Sequence, residues 1–72
     1  MNYYTDFPTK KRAHILSRRI VLRCAMALLD EGEYDVPAEY TKQVNDILYS
    51  MQIRIKAGQF NENNGTLHME II

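Results

Sequence analysis

The sequence predicts a mainly all-α protein in which two long helices form an antiparallel hairpin. Three observations indicate this fold: a repeated Asp-x-Pro signal, a glycine after each following segment, and apolar residues at helical spacing. The expected helices span about 8–31 and 36–57, and the short connection between them makes them antiparallel neighbours. We expect such hairpins to associate into a four-helix bundle-like oligomer.

The two expected helix starts share one tripeptide pattern. Residues 6–8 read Asp-Phe-Pro and residues 35–37 read Asp-Val-Pro. Aspartate is a strong N-cap, and proline is tolerated in the first helical turn because its missing N–H costs nothing there. Gly32 and Gly58 follow the two segments, and glycine readily adopts the left-handed conformation that ends helices.

The first expected helix is apolar on nearly every side between residues 20 and 29, where only Arg23 interrupts. One partner helix covers a single stripe of such a surface. Each large apolar side chain left in water costs very roughly 1.5–3 kcal/mol. We therefore expect a homo-oligomer, for which a dimer is the simplest closed arrangement.

The second expected helix is amphipathic, and its apolar residues fall in one sector. They are Tyr40, Val44, Ile47, Leu48, Met51 and Ile55. Tyr49 and Ile53 lie on the opposite face at positions i and i+4, which indicates a second contact. They are candidate partner-contact residues, together with Tyr34 in the expected hairpin loop.

Residues 59–72 form a separate C-terminal tail in this interpretation, after a helical hairpin domain at 1–58. Asn64-Gly65 is a strong signal for a tight turn. Beyond it Leu67, Met69 and Ile71 alternate with polar residues, as in a half-buried strand. The tail is therefore a candidate β-strand, or a β-hairpin of 59–63 with 66–71.

The net charge of zero hides a charge dipole along the chain. Residues 1–29 carry six bases and one acid, a net +5, whereas residues 30–39 carry five acids and no base, a net −5. A helical hairpin would gather the bases at one end, where they are candidates for binding an anion or a nucleic acid. These residues are Lys10, Lys11, Arg12, Arg19, Arg23, Arg54 and Lys56. The simpler alternative is a solvated surface with local ion pairs.

The sequence contains no motif that indicates catalysis or a cofactor. There is no glycine-rich phosphate loop, no cysteine pair and no closely spaced pair of histidine ligands. His14 and His68 lack evident further ligands, so we expect no metal, no cofactor and no enzymatic activity. Cys24 lies alone in an apolar run, and no run reaches the roughly 18 apolar residues of a membrane span. We expect a cytoplasmic protein.

The expected function is that of a small, non-enzymatic protein-interaction module that acts as an oligomer and regulates or inhibits a larger protein. Tyrosine and arginine, which are favoured in interface hot spots, support this prediction. The alternative is nucleic-acid or nucleotide binding through the basic end of helix one. The sequence pI of about 6.7 is lower than that of typical dedicated nucleic-acid binders.

Overall fold

The computed structural model describes residues 9–72, with side chains from residue 16 onward, and this part of the chain has an α+β fold. A long helix and a short helix pack against a three-stranded antiparallel sheet. The predicted all-α helical hairpin and four-helix bundle are therefore wrong. The elements are α1 (Thr9–Glu31), β1 (Glu33–Pro37), a 3-10 turn (Ala38–Tyr40), α2 (Thr41–Ser50), β2 (Ile55–Asn61) and β3 (Thr66–Ile71).

The second helix begins later than predicted because the residues expected to cap it belong to strand β1. The prediction started it at residue 36, but Val36 is fully buried in β1 opposite Leu67. Pro37 ends that strand with an extended backbone (φ −52°, ψ 132°). Proline suits the end of an edge strand as well as a first helical turn. The long-range pairing of β1 decides between the two.

The same helix ends at Ser50, seven residues before its predicted end, through a Schellman motif. The N–H of Ile53 donates to the Leu48 carbonyl and the N–H of Gln52 donates to the Tyr49 carbonyl, each at 2.9 Å. Gln52 adopts the left-handed conformation (φ 64°) in place of the usual glycine. Ile53 packs against the core that contains Leu48, which supplies the motif's apolar contact.

The two glycines expected to end helices have different roles. Gly32 follows α1 with φ 82°, and its N–H donates to the Leu28 carbonyl at 2.8 Å. Such a C′ glycine ends the helix without the steric cost that a Cβ would add. Gly58 instead lies inside β2 against the side chain of His68, so the expected helix end at Gly58 is wrong.

The expected C-terminal tail supplies the central strand of the sheet. The strand order is β1-β3-β2, and β3 pairs antiparallel with both neighbours. β2 and β3 form a hairpin through a turn at residues 62–65, in which Gly65 has φ 67°. β2 begins at Ile55, inside the region predicted to be helical, and its pairing shifts between Ala57 and Phe60.

The core lies between the helices and one face of the sheet. Its buried members are Val21, Cys24, Ala25, Leu28, Val36, Val44, Leu48 and Met69. The helices cover the face of the sheet that carries Val36 and Met69. The residues next to Val36 and Met69 along each strand point to the other face. Burial raises the pKa of the Cys24 thiol, against the opposing effect of the Arg23 charge. Cys24 is therefore a small buried hydrophobe that stays protonated at neutral pH.

Neither helix in the described part of the chain is both long enough and apolar enough to cross a lipid bilayer.

Replacing Gln52 with glycine should raise the free energy of unfolding by up to about 1 kcal/mol, because glycine adopts a left-handed backbone without steric cost. The same change at exposed Gln43, in the first turn of α2, should lower the free energy of unfolding by up to about 1 kcal/mol, because glycine is a poorer helix former than glutamine. Urea unfolding of both variants provides the measurement. Destabilisation by Gln52→Gly as large as by Gln43→Gly would contradict the Schellman assignment.

Candidate functional site

The sheet's uncovered face brings together one histidine and three carboxylates. In the register of β1 with β3, Asp35 lies opposite His68 and Glu33 lies opposite Glu70. Residues two apart on a strand share a face, so the two adjacent cross-strand pairs place all four side chains together. We call these four residues the His68 cluster.

Each imidazole nitrogen of His68 faces a carboxylate. Nδ1 lies 2.7 Å from the Oδ1 atom of Asp35. Nε2 lies 3.1 Å from Oε1 of Glu33 and 3.3 Å from Oε1 of Glu70. The His68 side chain is 31% exposed, so the cluster is open to water but shielded by its neighbours.

The carboxylates raise the pKa of His68 above its ordinary value. The largest cause is the hydrogen bond with Asp35, and partial desolvation of the ring opposes it. The charge of Asp35, the hydrogen bond with Glu70 and the charge of Glu33 raise the pKa further. The ring therefore holds its proton to a higher pH than a free histidine does.

Three members of the cluster, Asp35, His68 and Glu70, line an open cleft of about 650 Å³ over this face of the sheet. Gly58, Gln59 and Phe60 of the bulged strand β2 also line it. A cleft with carboxylate and imidazole groups on its wall attracts cations and repels anions, although Lys56 pairs with Glu70 in the sheet register.

A second feature lies on the side of α1 that faces away from the sheet. Leu22, Met26 and Leu29 are large apolar residues exposed to solvent, and Met26 is 64% exposed. Successive members are four and three residues apart and therefore form one stripe. Leu22 and Met26 line a shallow groove together with the charged residues Arg19, Arg23 and Asp30. We call this surface the α1 outer face.

The structure separates two of the predicted partner-contact residues. Tyr49 is exposed on α2, with 67% of its surface accessible. Ile53 packs against the core, because α2 ends at Ser50 and the expected i, i+4 relation is lost. Tyr34 lies in β1 opposite Met69 and is partly exposed.

The predicted basic residues do not form one pole. The N–H of Ile72 donates to the Arg54 carbonyl and that of Ile71 donates to the Gly32 carbonyl. Arg54 and Lys56 consequently lie near the C-terminal end of α1, among the acids. Residues 10–12 lie in the first turns of this helix of 23 residues, and their side chains, like that of His14, are outside the described part. The helix is roughly 34 Å long, which separates the two groups.

His68 is recognisable in the sequence as a candidate ligand without evident partners, but its carboxylate partners are not. The signal that could have found them is the period-two pattern on each strand: Tyr34 and Val36 flank Asp35, as Leu67 and Met69 flank His68. Because Asp35 was interpreted as a helix cap, strand β1 was not predicted. The register between strands 33 residues apart depends on tertiary pairing, which no local pattern reveals.

Comparisons of the chain with protein-family models, with curated proteins and with solved structures found no match. The geometry of the described residues is therefore the basis for inferring the function.

The His68 pKa should exceed that of an ordinary histidine, about 6.5, and should fall when Asp35→Asn removes the charged acceptor. The pKa of His68 is higher in the folded than in the unfolded protein. Protonated His68 therefore contributes its full share to the free energy of unfolding below the unfolded-state pKa, and this contribution is lost as the pH rises through the folded-state pKa. NMR titration of the metal-free protein, with His68→Gln to assign the resonance, measures this.

Asp46→Asn on α2 is the matched control for that titration and should leave the His68 pKa unchanged. A His68 resonance that titrates identically with and without Asp35→Asn would contradict the cluster geometry.

Proposed function

We propose that the protein is a small, non-enzymatic interaction module that pairs with a second copy of itself through the α1 outer face. The observation that carries the proposal is the exposed stripe of Leu22, Met26 and Leu29, with basic and acidic residues at its opposite ends. Contiguous exposed apolar patches rimmed by polar residues are characteristic of protein–protein contacts.

The size of the apolar stripe favours a weak, orientation-dependent contact. Burying the exposed halves of three side chains from each copy contributes roughly 5–9 kcal/mol. Loss of translational and rotational freedom costs about 4–15 kcal/mol, which is the same order. The charged residues beside the stripe therefore decide whether two copies associate and in which direction.

The charge pattern favours an antiparallel pair. A twofold axis opposite Met26 places residue 22 of one copy near residue 30 of the other, and residue 23 near residue 29. Arg23 then lies beside Asp30 of the second copy, and the twofold axis repeats this pair. In a parallel pair the charged flanks of the two helices lie on opposite sides of the contact, so Arg23 of one copy would not reach Asp30 of the other and both ion pairs would be lost.

Binding to a larger partner protein remains a prediction from the composition of the chain. Exposed Tyr49 is the candidate contact residue for that partner. Buried, unpaired Cys24 is in keeping with the predicted cytoplasmic location. The alternative of nucleic-acid or nucleotide binding has less support, because Arg54 and Lys56 lie apart from the bases at the start of α1.

Charge reversal at either end of the stripe should weaken the dimer, and reversal at both ends should restore it. Arg23→Asp or Asp30→Arg alone replaces two attractive pairs with two repulsive ones, and we expect at least about tenfold weaker association. The double variant should return to within a few-fold of the original protein. Sedimentation equilibrium over a wide concentration range measures each dissociation constant.

Tyr49→Ser is the matched control, because it removes a similarly exposed large side chain from α2 and should leave the dimer unchanged. A protein that stays monomeric even at millimolar concentration would contradict the proposal, as would a dimer that Arg23→Asp leaves intact. Dissociation by Tyr49→Ser instead would assign the contact to α2.

A further inference from the structure

We propose that the His68 cluster binds a divalent transition-metal cation such as Zn²⁺. Glu33, His68 and Glu70 supply the three protein ligands, and Asp35 orients the imidazole. This proposal is independent of dimerisation, because the cluster lies on the sheet face that the helices leave uncovered.

The three ligand atoms lie close enough together to surround one ion. They all lie within 4.8 Å of one another. The two distances from Nε2 of His68, 3.1 Å to Glu33 and 3.3 Å to Glu70, are close to one edge of a zinc tetrahedron. That edge is roughly 3.3–3.5 Å when each ligand is about 2.0–2.1 Å from the metal. Small side-chain rotations suffice to place an ion between them.

The contact of Asp35 with His68 has the geometry of an outer-shell partner. A histidine that binds metal through one nitrogen usually donates its other N–H to a carboxylate or a carbonyl, which fixes the ring orientation. The 2.7 Å contact from Nδ1 to Asp35 directs Nε2 at Glu33 and Glu70. This asymmetry distinguishes the cluster from a simple collection of surface acids.

The cross-strand charges also favour a cation. Glu33 and Glu70 occupy directly opposed positions, where like charges destabilise a sheet. With Asp35 the cluster carries three carboxylates around one imidazole, and Lys56 provides one further positive charge from the next strand. A divalent cation bound between the two glutamates would attract both carboxylates and offset the repulsion between them.

The donor set selects the class of metal. Mg²⁺ and Ca²⁺ prefer all-oxygen sites with six or more ligands, whereas Zn²⁺ is commonly bound by histidine and carboxylate. Three protein ligands leave one position of a tetrahedron for water or another ligand. In this protein the cluster borders the cleft of about 650 Å³, so the remaining position is accessible from solvent.

The test is a titration of the full-length, metal-free protein with zinc sulfate at slightly alkaline pH, followed by calorimetry and by the NMR resonances of His68. We expect saturation at one Zn²⁺ per chain and a higher thermal midpoint in the presence of the metal. Co²⁺ should give the visible absorption of a tetrahedral complex, whereas Mg²⁺ should not compete at similar concentration.

Four variants locate the site. His68→Gln and Glu70→Gln should each weaken Zn²⁺ binding at least about tenfold, and Asp35→Asn should weaken it about 10–100-fold through the outer shell. Glu62→Gln changes a carboxylate that lines the same cleft but lies outside the cluster, and it should leave the affinity unchanged. Circular dichroism of each variant establishes that the fold is retained.

The proposal is overturned if Zn²⁺ shows no saturable binding, or if it binds His68→Gln as tightly as the original protein. Failure of dimerisation has a different signature, because Arg23→Asp should alter association and leave the Zn²⁺ affinity unchanged.

Discussion

The antiparallel pairing of β3 with β1 is the interaction on which both the core and the His68 cluster depend. One register places Met69 beneath the helices and, on the opposite face, brings His68 and Glu70 against Asp35 and Glu33. A shift of one residue would exchange the two faces, exposing the apolar residues and burying the charged ones. The free energy gained by burying the core thus also holds the cluster together.

Local sequence patterns predict the elements whose structure is itself local. The long first helix and its glycine end were visible in the sequence, as was the alternation around Met69. The strand β1 was not, because Asp35 and Pro37 are equally suited to begin a helix. The early end of α2 was hidden as well, since its left-handed residue is Gln52 and not glycine. The candidate site could not be predicted from local patterns either, because its residues come together only when β1 pairs with β3.

The two surfaces of interest lie on opposite sides of the protein. The α1 outer face carries apolar residues that the sheet does not cover, whereas the His68 cluster lies on the sheet face that the helices leave open. Because the core lies between them, their contributions to stability and binding should be nearly additive. The proposed self-association and the proposed cation binding therefore do not compete for the same surface.

Native-state hydrogen exchange of the β3 amides tests the central role of this strand most directly. The account predicts that the paired amides of residues 67–70 exchange as slowly as those around Leu28 in α1, because both open only when the whole fold unfolds. Rapid exchange along β3, with protection confined to the helices, would show that the sheet does not hold the core and would contradict the account.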